Sequence, residues 1–252
     1  MGQLARGVRD VQHGFGVLRA HPALWKWVIA PAVASAALLA ALVLLALHES
    51  GALVGWVVSH LPGWLAQVAG PLLTTMILAV LLVGVWLVFV PLAGLVAGPF
   101  NEMLSEHVEA QLTGRPASPF SFAEFLHGLG LGVVHSIRRL VAMLVGIALV
   151  FGLSFIPVVG TIAAAVVAAW LAATGAAYDC YDAVLARRMM GYRAKLAYLA
   201  HHRRRSLGLG GVVAAMLLVP GLNLIALGIG TAGATVAVHA IERNPVAGRR
   251  SG

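Results

Sequence analysis

The 252-residue chain is 60% hydrophobic and only 10% charged, with a formal net charge of +8. Soluble domains carry about 25% charged residues, and a mean hydropathy of +0.92 leaves too little polar side chain to cover a water-exposed fold. The composition excludes a soluble globular domain and points to an all-α integral membrane protein. Nucleic acid is not expected as a partner, because loop topology accounts for the positive excess. A single cysteine, Cys180, excludes an intramolecular disulfide framework.

Residues 1–21 do not form a span. Leu4, Val8, Val11, Phe15 and Leu18 recur at three- and four-residue spacing, with Arg6, Arg9, Asp10 and His13 on the other side. The pattern predicts an amphipathic helix lying in the membrane surface, the alternative being a helix packed on a partner element. No cleavable leader is expected, since the first apolar run has full spanning length. Trp27–Leu47 is uncharged over 21 residues, enough to cross about 30 Å of hydrocarbon. With Trp25, Lys26 and Trp27 as interfacial anchors, the first transmembrane helix is placed at 24–47. The segment 48–69 is apolar but broken by Gly and Pro and reads as an interfacial loop, and the second transmembrane helix follows at 71–97.

No Asp, Glu, Lys or Arg occurs from Gly51 to Asn101, and then Glu102, Glu106 and Glu109 arrive together. The spacing predicts a cytoplasmic helical segment over 101–139, opened by Asn101 as its N-cap. Phe100, Leu104, Val108 and Leu112 form one stripe with the glutamates nearly opposite, so the acidic side faces water or a basic loop. No nucleophile, metal-ligand set or cofactor motif accompanies them; His201 and His202 lack a spaced partner set for a metal. An enzyme is not expected, and no cofactor.

Two long uncharged stretches are each interrupted by a turn. Residues 140–178 form a first helical hairpin with its tip at Pro157–Gly160, and 207–241 a second with its tip at Pro220 and Gly221. The limb Leu207–Val219 has 13 residues, about 20 Å as a helix, so re-entrant and fully spanning hairpins both stay open. Between them lies a basic cytoplasmic segment, 179–206, and after them a tail, 242–252. SIRRL (136–140) and HRRRSL (202–207) precede the two hairpins in a faint internal repeat, which gives a basic collar of Arg138, Arg139, Arg203, Arg204 and Arg205. All Lys and Arg fall between Arg6 and Lys26, Arg115 and Arg139, Arg187 and Arg205, or after Glu242. By the positive-inside rule both termini are cytoplasmic.

The hairpin turns create helix starts inside apolar segments, where an anion would have to exchange its water shell for donors. The apolar segments hold no charged residue, so helix starts at the tips, with Thr161 and Asn223 as N-caps, are candidate donors through their free amides. The same Pro and Gly are needed simply to turn. Without buried ionisable groups, any solute movement is expected to be channel-like and uncoupled, or coupled outside the bilayer.

The segment GPFNEMLSEHVEAQLTG (98–114) resembles the signature after the second span of the CysZ sulfate-transporter family, related to the eukaryotic etoposide-induced membrane proteins. The likeness continues in order through GFGVLRAHPALWKWVIAP (14–31), FIPVVGT (155–161), LARRMMGYRAKLAYLAHHRRRSLGLG (185–210), LVPGLNL (218–224) and GATV (233–236). It implies an inner-membrane permease that imports sulfate or a related oxyanion for sulfur assimilation and cysteine biosynthesis. It also implies long spanning helices and partly penetrating hairpins, with Lys26, Gly98, Pro99, Phe100 and Asn101 joining Thr161 and Asn223 as candidate substrate-binding residues. Two places depart from the family pattern. An arginine pair near the start of the first span is replaced by Trp25-Lys26-Trp27, and an Asp-Tyr-Pro motif by YDCYDAVLARR (178–188). The expected partners are the oxyanion, membrane lipids and further copies of the chain covering the hairpin tips. The competing reading is a membrane scaffold that transports nothing.

Overall fold

The computed structural model describes residues 2–117, 141, 144–156 and 159–243, with backbone alone at 64–69, 90 and 91. Arg138, Arg139, Pro157, the glycine cluster at 128–132 and the tail from residue 244 lie outside the described residues. The elements are α1 (Gln3–Ala20), a 3-10 turn (Pro22–Leu24), α2 (Trp25–Ser59), α3 (Gly63–Thr113), α4 (Leu144–Ser154), α5 (Val159–Arg187), α6 (Tyr192–His201), α7 (Arg203–Leu217) and α8 (Asn223–Arg243). No strand occurs among the described residues. Four helices, within Pro22–Ser59, Gly70–Thr113, Val159–Arg187 and Asn223–Arg243, are long and apolar enough to cross a bilayer. The chain is an all-α membrane protein.

It divides into two compact units, Val33–Val96 and the remainder. In the first, the expected loop over 48–69 is absent: α2 continues to Ser59, and only His60–Pro62 separate it from α3. Its last carbonyls find side-chain donors in place of water, with the Ser59 hydroxyl donating to the Trp56 carbonyl at 2.7 Å. Glycine in an apolar stretch signals a loop in water. In lipid an open backbone costs several kcal/mol per unsatisfied group, so helix persists. For the same reason α3 runs unbroken through Pro71, Pro91 and Pro99. Asn101 is therefore an interior helical residue and not an N-cap. The helix stops at Gly114, whose φ of 71° suits glycine and whose amide donates to the Ala110 carbonyl at 2.9 Å.

The second unit, Met1–Ala32 with Ala97–Gly252, holds the core. α1 packs on α7 and α8, and α5 packs on the same pair. Leu18, Leu104, Val108, Tyr181, Val184, Leu209, Val213 and Val238 are buried among them. α1 packs within this unit through one of its faces, the alternative the sequence left open. Its buried stripe is Gly7, Asp10, Val11, Gly14 and Leu18, while Leu4 and Phe15 stay exposed. The close approach is made by glycine: a methyl at Gly7 would strike the Arg205 carbonyl, one at Gly208 the Leu4 carbonyl, and one at Gly14 the Ala232–Gly233 backbone. Small residues let helix backbones meet where lipid offers no hydrophobic drive.

Both hairpins are present. Gly146 of α4 faces the Leu171 side chain of α5, and Gly160 sits against Leu153 and Ile156 at the turn. α7 and α8 are joined through Gly221, whose φ of 85° is open to glycine. The basic run is already helical, since α7 begins at Arg203. α5 begins at Val159, which makes Thr161 its third residue instead of its cap. Asn223 is the first residue of α8, and the amides of Asn223, Ile225 and Ala226 already donate to the Val219 and Leu222 carbonyls. Few free amides remain at that tip.

Candidate functional site

The residues singled out from sequence do not converge. Thr161, Asn223, Pro220 and Gly221 are exposed at the two tips, and neither Thr161 nor Asn223 makes a side-chain hydrogen bond among the described residues. Lys26 is exposed, its ammonium 5.1 Å from the Trp27 ring centroid. Arg203 lies over the Trp170 ring at 6.0 Å, and Arg204 is exposed. Arg205 is not a collar cation. It is buried and bidentate on Asp10 of α1, Nε to Oδ2 at 2.6 Å and Nη2 to Oδ1 at 2.8 Å. Burial opposes its charge, but the Asp10 carboxylate outweighs that and holds the guanidinium above the ordinary arginine value.

Asn101 is different. With Pro99 it is buried, and it begins a polar row on α3 at four-residue spacing: Asn101, Ser105, Glu109. Helix α8 carries a matching row, Thr231, Thr235, His239. The rows meet where the Thr235 hydroxyl lies 3.1 Å from the Ser105 hydroxyl and 2.8 Å from the Thr231 carbonyl. Ser105 also accepts from Arg187 Nη1 of α5 at 2.9 Å. Farther along both helices Glu109 and Glu242 meet on Arg188, so α3 and α8 run in the same direction here. The result is a polar seam within this unit, graded from amide and hydroxyl groups to full charges.

The charged end is a chain of shared carboxylates. Glu109 takes Arg187 Nη2 at 2.6 Å and Arg188 Nη2 at 2.9 Å, and Glu242 takes Arg188 Nε at 2.8 Å. This fits the expected stripe on α3, for Leu104 and Val108 are fully buried while Glu109 turns to a basic segment. With two carboxylates to pair it, Arg188 is held above the ordinary arginine value. Glu109→Gln leaves the two guanidiniums without their common partner and is expected to lower stability by about 1–3 kcal/mol. Glu242→Gln, at a side chain 49% exposed, is expected to cost no more than about 1 kcal/mol. Thermal unfolding in detergent at low and high salt measures both.

Between α6 and α7, His202 lies 4.8 Å from both the Tyr198 and His201 rings, centroid to centroid. Burial, then the charges of His201 and Arg205, depress its pKa below the ordinary histidine value. Burial likewise pushes the Tyr198 hydroxyl up to about 12. A depressed histidine binds its proton less readily folded than unfolded, so stability present above pH ~6.5 is lost as pH falls below it. Acidification from pH 7.5 to 5.5 is expected to lower the melting temperature, and His202→Gln to flatten that slope.

A protein-family model described as sulfate transporter CysZ/etoposide-induced protein 2.4 matches residues 10–227. The chain belongs to that family. It is 33% identical over 218 residues to the sulfate transporter CysZ of Pseudomonas syringae pv. tomato, covering 85% of each chain. It is 31% identical over 222 residues to that of Pseudomonas aeruginosa strain PAO1, with 85% of this chain and 87% of the relative covered. With the protein of that name from Pectobacterium atrosepticum the identity is 27% over 179 residues, covering 71% of this chain and 65% of the relative. The matched region contains the whole α3 row and, on α8, ends four residues before Thr231.

Proposed function

We propose that this chain is a permease for sulfate or a related oxyanion. In this reading it sits in the inner membrane with both termini in the cytoplasm and feeds sulfur assimilation and cysteine biosynthesis. The observation that carries the reading is similarity across 85% of proteins named sulfate transporter CysZ. Two further features support it. The apolar segments 51–101, 140–178 and 206–241 contain no Asp, Glu, Lys or Arg; such segments offer no carboxylate to repel an anion and, apart from His60 and His239, no group for a proton relay, which favours channel-like, uncoupled movement. The polar seam of α3 and α8 then offers amide and hydroxyl groups leading to Arg187, the order in which a partly dehydrated anion needs them.

A second reading, a non-transporting scaffold of the same family, is favoured by one observation. The cation at the start of α2, Lys26, stands alone and rests on Trp27. Growth of a sulfate-uptake-deficient strain on limiting sulfate separates the two. Rescue by the wild-type chain is expected. Correct membrane expression without rescue favours the scaffold.

A further inference from the structure

The seam contains an unfilled rung. Four hydroxyls elsewhere in the helices turn back to their own backbone: Thr74 to Gly70, Thr75 to Pro71, Ser154 to Val150 and Thr174 to Trp170, all at 2.9–3.0 Å. Thr231 does not. It is fully buried, and its hydroxyl has no hydrogen-bond partner among the described residues. The same holds for the side-chain oxygen of Asn101, a residue 9% exposed. Buried polar atoms are satisfied in the great majority of cases; Tyr181, Tyr198, Ser206 and His239 also carry an unsatisfied buried atom, but Asn101 and Thr231 both adjoin the Ser105–Thr235 contact, which calls for a reason. Each stands one helical turn before a member of the Ser105–Thr235 contact, on helices running the same way.

We infer that Asn101 and Thr231 form a coordination station for a partly dehydrated tetrahedral oxyanion, one turn ahead of Arg187. This rests on the permease reading and deepens it. Half a turn of the Asn101 amide exchanges its oxygen for an NH2 donor, and the Thr231 hydroxyl can turn its hydrogen toward the ligand. Ser105, already accepting from Arg187, keeps its own hydrogen to donate. The station is neutral, so it holds an anion weakly enough to release it, and Arg187 beyond it supplies a cation whose pull on the anion is limited by its pairing with Glu109. Thr174 supplies the control, because its hydroxyl is satisfied within its own helix.

The test is saturable binding of radiolabelled sulfate to purified full-length protein, alongside uptake into vesicles. Wild type, Thr231→Ser and Thr174→Val are expected to bind alike. Thr231→Val and Asn101→Asp, matched in shape but lacking the donor or carrying a repelling charge, are expected to bind at least about tenfold more weakly. Unchanged melting temperatures without sulfate show that each variant folds. Binding by Thr231→Val at the wild-type level overturns the assignment, as does a wild type that binds no sulfate. A wild type that binds but does not move sulfate contradicts the permease reading and leaves the station standing.

Discussion

Asp10→Ala is expected to lower the stability of the folded protein by about 3–5 kcal/mol, the range for removing one partner of a buried ion pair. The Asp10 side chain is 6% exposed and that of Arg205 11%, and the carboxylate is bidentate on the guanidinium. Taking the carboxylate away leaves a cation buried between α1 and α7 with neither water nor a counter-charge. The pair joins residues 195 positions apart, so its loss weakens the docking of the N-terminal helix on the second hairpin. A double variant, Asp10→Leu with Arg205→Met, removes both charges and is expected to recover most of the loss, because an apolar pair of similar volume carries no desolvation penalty. Thermal unfolding of the purified protein measures the cycle. Equal melting temperatures for Asp10→Ala and wild type would mean that the pair contributes nothing.

Gly14→Leu is the second large effect. Gly14 crosses Gly233 of α8 so closely that even a methyl group overlaps backbone, which cannot swing aside as a side chain can. Gly14→Ala is expected to cost about 1–3 kcal/mol by overpacking, and Gly14→Leu to abolish the docking of α1 and with it the monodisperse protein. Gly16, two residues on, has open space around it. There Gly16→Ala is expected to be neutral or stabilising by up to about 1 kcal/mol, through helix propensity alone. The opposite signs at neighbouring glycines distinguish close packing from a general need for flexibility, and melting temperature with elution profile reads both.

These two sites also mark what could and could not be read from sequence. The α3 stripe was legible: Leu104 and Val108 recur every four residues, alternate with glutamates, and are buried as the periodicity requires. The two hairpins were legible as well, because Pro and Gly interrupt uncharged runs at their middle. The role of α1 was not. Periodicity marked an apolar stripe of Leu4, Val8, Val11, Phe15 and Leu18, of which Val11 and Leu18 are buried, whereas the packed face is completed by Gly7, Asp10 and Gly14, residues that carry no apolar signal. The asparagine at 101 looked like a cap because charged residues follow it, a rule learned from helices in water. In lipid, backbone satisfaction overrides the local signal and α3 continues. The seam had a visible trace, the spacing of four shared by Asn101–Ser105–Glu109 and Thr231–Thr235–His239. Threonine in an apolar helix ordinarily bonds its own backbone, so the trace meant nothing until Thr231 proved to be unsatisfied.

The central claim, that the chain moves an oxyanion across a membrane, is tested most directly by uptake of radiolabelled sulfate into sealed vesicles containing the purified wild-type protein, with empty vesicles alongside. Uptake is predicted to exceed that of empty vesicles, to stop when the two sides equilibrate, and to be indifferent to an imposed pH gradient. Folded protein that leaves the vesicles no more permeable to sulfate, selenate or molybdate than empty ones would contradict the account.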